Sequence, residues 1–242
     1  MFYHTECLTL LDLAFIVDAS GSIIETDSEG WNRVKNFLVQ VVNSVTVGRD
    51  QVRVGLVTYS NSASRNSDQG AWNLLRYSDR DNLIAAINNI PYIGGTTNTQ
   101  DGLNYARTQI FVPSGDRPGV TNLAIVITDG VSNVETASLP REAQALRDNA
   151  LVIAVGVTNA VNEDELNLIA SEDSRGRNYV LRVTDFRQLA SQIDNLLDET
   201  CIAVTLPPPT SIPGKVFAAR LEKQRYKTQA FSFCIMRGLI AN

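Results

Sequence analysis

The sequence predicts an α/β fold, a doubly wound and mostly parallel central sheet with helices on both faces. Two observations carry this. Short apolar runs of strand length recur along the chain, and several lack alternation, as strands buried on both faces do. Between them lie segments with apolar residues at three- and four-residue steps, the mark of one-sided helices. At 242 residues with 44% hydrophobic content, the chain can bury one sizeable core.

Leu10 to Val17, interrupted only by Asp12, reads as the first buried strand. Trp31, Val34, Phe37, Leu38, Val41, Val42 and Val45 form a helical stripe. Val52 to Val57 is a strand ending in Thr58-Tyr59-Ser60. A polar loop, Asn61 to Gly70, leads to a short strand over Trp72 to Tyr77, and Ser78 or Asp79 caps a helix through Ile90. The loop Pro91 to Thr97 enters a helix with Leu103, Ala106 and Ile110 on one face. Leu123 to Ile127 is an apolar strand ending in Thr128-Asp129-Gly130. A helix over Pro140 to Asp148, a strand over Leu151 to Val157, a helix over Glu163 to Ala170 and a strand over Tyr179 to Val183 follow. Thr184 or Asp185 caps a last helix to about Glu199. The division expected is a flank over 1–9, the domain over 10–201, and a Pro-rich linker with a basic, disordered tail over 202–242.

Net charge is −5 and uneven: residues 1–214 carry about −10 and residues 215–242 about +5. An acidic body argues against nucleic-acid binding and suits cations and basic partners. No apolar run reaches membrane-spanning length. The start has no basic region followed by an apolar core, so the chain reads as a fragment or as one missing its first exon. Cys7 and Cys201 bracket the patterned region. They are either a disulfide closing the domain at its base, in an oxidising compartment, or two unrelated thiols. Cys234 is left over.

Ligands of open parallel sheets bind beyond the carboxyl ends of the strands. Asp18, Ser60 and Asp129 lie at such ends, and Thr97 sits on a loop reaching the same edge. Asp18-x-Ser20-x-Ser22 offers one carboxylate and two hydroxyls on a tight loop. Gly94-Gly95 lets the backbone turn sharply before Thr96-Thr97-Asn98-Thr99. Thr128-Asp129-Gly130 adds a second carboxylate. Singly, Asp18 reads as a helix cap, the serines as turn residues and Asp129-Gly130 as a turn pair. Jointly, Asp18, Ser20, Ser22, Thr97 and Asp129 are an oxygen set for a hard cation, Mg²⁺ or Mn²⁺, with Ca²⁺ also suited. Neutral hydroxyls leave much of the cation's charge uncompensated, which favours a carboxylate from a partner.

Enzyme readings fare worse. A Ser-His-Asp triad needs a histidine base, and the single histidine, His4, lies outside the patterned core. No Gly-x-Ser-x-Gly elbow, Gly-x-Gly-x-x-Gly turn or Gly-Lys-Ser/Thr loop occurs at the first strand. An aspartyl phosphotransferase using Asp18 usually places a second carboxylate two residues on, where this chain has Ser20.

These motifs, in this order, resemble the von Willebrand factor type A domain and its metal-ion-dependent adhesion site. Similarity runs from about Leu10 to Cys201. It includes Gly55-Leu56-Val57-Thr58-Tyr59-Ser60, Ile153-Ala154-Val155-Gly156-Val157 and Glu165-Leu166-x-x-Ile169-Ala170-Ser171. The subtype resembles matrilins and collagen VI-like chains, which the flanking Cys7 and Cys201 also fit. The resemblance implies that Ser20 and Ser22 bind the metal directly, and Thr97 directly or through water. Asp18 and Asp129 would act through water or as direct ligands. It also implies a secreted, non-enzymatic domain of the extracellular matrix, whose partner is collagen or another matrix glycoprotein. Two alternatives stand beside it: a self-associating scaffold in which the metal is incidental, and an intracellular A domain with reduced thiols.

Overall fold

The computed structural model describes residues 10–66, 69–196 and 198. The Cys7–Cys201 pairing, Cys234, the Pro-rich linker and the basic tail lie outside them. Six strands form one sheet: β1 (Leu11–Asp18), β2 (Val52–Tyr59), β3 (Ala71–Trp72), β4 (Thr121–Thr128), β5 (Leu151–Val157) and β6 (Val180–Val183). Their order is β3-β2-β1-β4-β5-β6. Every pairing is parallel except that of β2 with β3. The expected doubly wound, mostly parallel sheet is therefore present.

The helices are α1 (Ser22–Thr26), α2 (Gly30–Asn43), α3 (Arg80–Asn88), α4 (Thr99–Tyr105), α5 (Leu139–Arg147) and α6 (Glu163–Ile169). Strand pleating sends successive side chains to opposite faces, and β1 shows why its run lacks alternation. Leu11, Leu13, Phe15 and Val17 join the apolar layer containing Trp31, Val34, Phe37 and Leu38 of α2. Ala14 and Ile16 join the layer containing Leu103 of α4, Ala143 of α5 and Leu166 of α6. Both faces are covered, so all eight residues of β1 are buried.

Gly102 of α4 lets that helix lie close to β2: a Cβ there would stand 2.6 Å from Tyr59 Cδ1, on a fully buried ring. Asp79 caps α3 by accepting from Asn82 N at 2.9 Å, and Asp185 caps the last helical segment by accepting from Arg187 N at 2.8 Å.

Four details differ from the sequence expectation. The strand expected over Trp72 to Tyr77 is only Ala71–Trp72, because Asn73 Oδ1 accepts from Leu75 N and turns the chain. α1 has no counterpart in the sequence pattern, since five residues are too few for a periodic stripe. The helix after Thr97 ends in a π turn, Ala106–Ile110. The last helix begins as a 3₁₀ segment, Phe186–Gln192, although Phe186, Leu189, Ile193 and Leu196 keep three- and four-residue steps into one apolar layer.

Candidate metal centre

The parallel strands bring the ends of β1 and β4 side by side, since Val17 lies opposite Ile127. Asp18 and Asp129 therefore emerge at one edge, and both are 1% exposed. Asp18 does not cap a helix: its Oδ1 accepts from Ser20 N at 2.9 Å and its Oδ2 from Thr128 Oγ1 at 2.8 Å. Both carboxylate oxygens are thus held by the protein, and the Ser20 bond shapes the loop that carries the two serines. Ser20 Oγ and Ser22 Oγ lie 3.2 Å apart. Ser22 Oγ donates to Asp129 Oδ1 at 2.8 Å. Asp129 Oδ2 is buried without a hydrogen-bond partner.

Thr97 reaches the same place from the glycine loop. A Cβ built on Gly130 would lie 3.9 Å from Ser22 Oγ and 4.0 Å from Thr97 Oγ1, so both hydroxyls border one point beside the Asp129 turn. The adjacent Thr96 is separated from it by side-chain chemistry: Asn61 Oδ1 accepts from Thr96 N and Thr96 Oγ1 at 2.9 and 2.8 Å. Thr96 is exposed, whereas Thr97 is buried. Gly95 runs at φ +98° and Gly94 at +73°, a backbone that side chains rarely adopt. Gly95 O accepts from Gly21 N at 2.9 Å, which docks this loop on the serine loop. Ser60, at the end of β2, donates its hydroxyl to Gly94 O and so holds the loop.

A second layer holds Thr97. Thr97 N donates to Asn133 Oδ1 and Thr97 O accepts from Asn133 N, each at 2.9 Å. Ser132 N in turn donates to both carboxylate oxygens of Glu165 at 3.0 and 3.1 Å. Sequence reasoning missed this layer. Asn133 and Ser132 look like ordinary loop residues, and Glu165 sits among Glu163 and Asp164, where acidic side chains merely suit a helix N-terminus. The polar pair just after a strand-end carboxylate was the available signal.

The electrostatics are those of two buried carboxyls set close together. Burial pushes the Asp18 carboxyl up, against the bonds from Ser20 and Thr128 that pull it down. Burial and the nearby Asp18 charge push Asp129 up to about 7, against the Ser22 bond. Among the described residues no three His, Cys, Asp or Glu side chains gather to hold a metal. A cation here would rest on hydroxyls as much as on carboxylates. The orphaned Asp129 oxygen, two crowded acids and neighbouring hydroxyls fit a hard divalent ion.

Comparison with known proteins agrees with this architecture. The von Willebrand factor type A domain family model matches residues 12–195. The chain is 34% identical to matrilin-1 of Gallus gallus over 193 residues, 79% of this chain and 36% of that one. It is 31% identical to the collagen alpha-4(VI) chain of Mus musculus over 191 residues, 78% of this chain and 8% of that one. Among solved structures, proximal thread matrix protein 1 from the mussel byssus, with a zinc-occupied MIDAS motif, is similar at TM-score 0.71 and 29% identity. That match covers 81% of this chain and 47% of that one. The chain belongs to the von Willebrand factor type A domain family. It spans less than half the length of each of these relatives.

Proposed function

We propose that this chain is a divalent-cation-dependent protein-binding domain of a secreted extracellular-matrix protein, and not an enzyme. Asp18, Ser20, Ser22, Thr97 and Asp129 are the residues that would hold Mg²⁺ or Mn²⁺, with Ca²⁺ also suited. The observation that carries this reading is the buried, partnerless Asp129 Oδ2 beside the Ser20–Ser22 hydroxyl pair at the carboxyl edge of the sheet. A bound divalent ion would supply a Lewis-acidic position able to accept a carboxylate from a partner. Ser20 and Ser22 contribute neutral oxygens, so they do not quench that acidity. Asp18, with both oxygens already accepting, orients the serine loop. Asn133 and Glu165 hold Thr97 in place.

Likeness to a matrilin and a collagen chain supports collagen or another matrix glycoprotein as the partner class. The chain should adhere to immobilised collagens or matrix glycoproteins in Mg²⁺ or Mn²⁺ and release in chelator, measured by surface plasmon resonance. Adhesion that persists unchanged in chelator would remove the reading. A scaffold reading, with the metal incidental, is favoured by the likeness to a thread matrix protein. It predicts self-association by sedimentation that survives chelation.

A further inference from the structure

Thr158 follows the last residue of β5 and has φ +72°, in the left-handed region. A β-branched residue there is a backbone outlier, since its Cβ crowds its own peptide, and such conformations persist only where the surroundings hold them. Three bonds hold this one. Thr158 N donates to Val183 O at 2.9 Å, tying it to the end of β6. Its hydroxyl accepts from Ala160 N at 3.2 Å and donates to Asp129 O at 3.1 Å. The last bond falls on the peptide of the residue with the unsatisfied carboxylate oxygen.

Glycine would take this backbone without strain and would still donate its N–H to Val183. What glycine lacks is the hydroxyl. We infer that Thr158 is a positioning residue for the cation site: its strained backbone aims a hydroxyl at the Asp129 carbonyl and so sets where the Asp129 carboxylate points. The inference rests on the proposed cation-binding role of Asp129. Thr158 itself would touch no cation. It acts through Asp129, as partners behind first ligands do when they fix ligand orientation.

The test uses the full chain with four variants, Thr158→Gly, Thr158→Ala, Thr158→Ser and Asp129→Ala, titrated with Mn²⁺ by calorimetry and melted in chelator. Thr158→Gly should melt at a higher temperature than wild type in chelator, yet bind Mn²⁺ about tenfold more weakly. Thr158→Ser, which keeps the hydroxyl, should bind within about twofold of wild type. Thr158→Ala, which keeps the strain and loses the hydroxyl, should melt lower and bind as weakly as the glycine variant. Opposite movements of stability and affinity in the glycine variant are what a merely structural turn would not give. Glycine and alanine variants that bind Mn²⁺ like wild type, while Asp129→Ala does not, would overturn the Thr158 inference and leave the cation site standing. Wild type that takes up no Mn²⁺ would overturn both.

Discussion

Replacing Asp129 by Asn should make the metal-free domain more stable at pH 8 and abolish its response to divalent cations. In the wild type, burial and the Asp18 charge raise the Asp129 carboxyl from 3.8 to about 7. A raised carboxyl is one whose charged form folding disfavours. Its cost is absent below the unfolded value near 4, grows between about pH 4 and 7, and is complete above that. A shift of this size corresponds to about 4 kcal/mol. Asn keeps the acceptor for Ser22 and removes the charge, so about 2–4 kcal/mol should be regained at pH 8 and almost none near pH 3. For a domain of this size that is roughly 5–15 °C in melting temperature. Wild type should gain about 2.7 kcal/mol from a cation at 100 times its dissociation constant, and the Asn variant nothing. Melts at both pH values, with chelator and with Mn²⁺, check this. An Asn variant that melts below wild type at pH 8 in chelator, or that still responds to Mn²⁺, would contradict the site as described.

The second large effect lies at the opposite edge of the sheet. Asp12 is fully buried, and the 13%-exposed Arg117 side chain reaches its Oδ1 at 2.6 Å. Arg117 Nε also donates to Oδ1 at 2.9 Å, and Arg117 N to Oδ2 at 3.0 Å. The same guanidinium donates to Leu11 O and Gln51 O at 2.8 and 2.7 Å. It thereby fastens the start of β1 to the residue before β2. Removing one partner of a buried pair leaves an uncompensated charge, which typically costs 3–5 kcal/mol. Arg117→Met should lose about that much by urea unfolding. Arg117→Lys should recover only part of it, because an ammonium lacks the planar fork. Asp12→Asn combined with Arg117→Met should be milder than Arg117→Met alone. A loss under about 1 kcal/mol in Arg117→Met would show that the pair is not what secures this edge.

This pair also marks what was legible in the sequence. Asp12 stood out as the one interruption in an apolar strand, but its partner lies 105 residues away and nothing local announces it. The sheet was legible because its strands are apolar on both faces, and the period of the helical stripes gave the layers. β3 was overextended because Trp72 and Tyr77 look like strand residues, whereas the Asn73 turn decides the backbone. At the candidate site, Asp18, Ser20, Ser22 and Asp129 could be singled out from motif spacing at and just after strand ends. Which of the adjacent Thr96 and Thr97 turns inward could not. Asn61 decides that, from a separate loop. Thr158 and Glu165 were invisible for a related reason: one looks like a loop residue and the other like a helix-end acid, and only packing reveals what each one holds.

Cation binding itself is read by a calorimetric titration of Mg²⁺ and of Mn²⁺ into the metal-free wild-type chain. Each ion should fill one saturable site per chain. Binding should be accompanied by proton release that grows as pH falls toward 6, where more of the Asp129 carboxyl is protonated beforehand. No saturable heat for either ion, with the chain shown to be folded, would mean that these residues hold no cation.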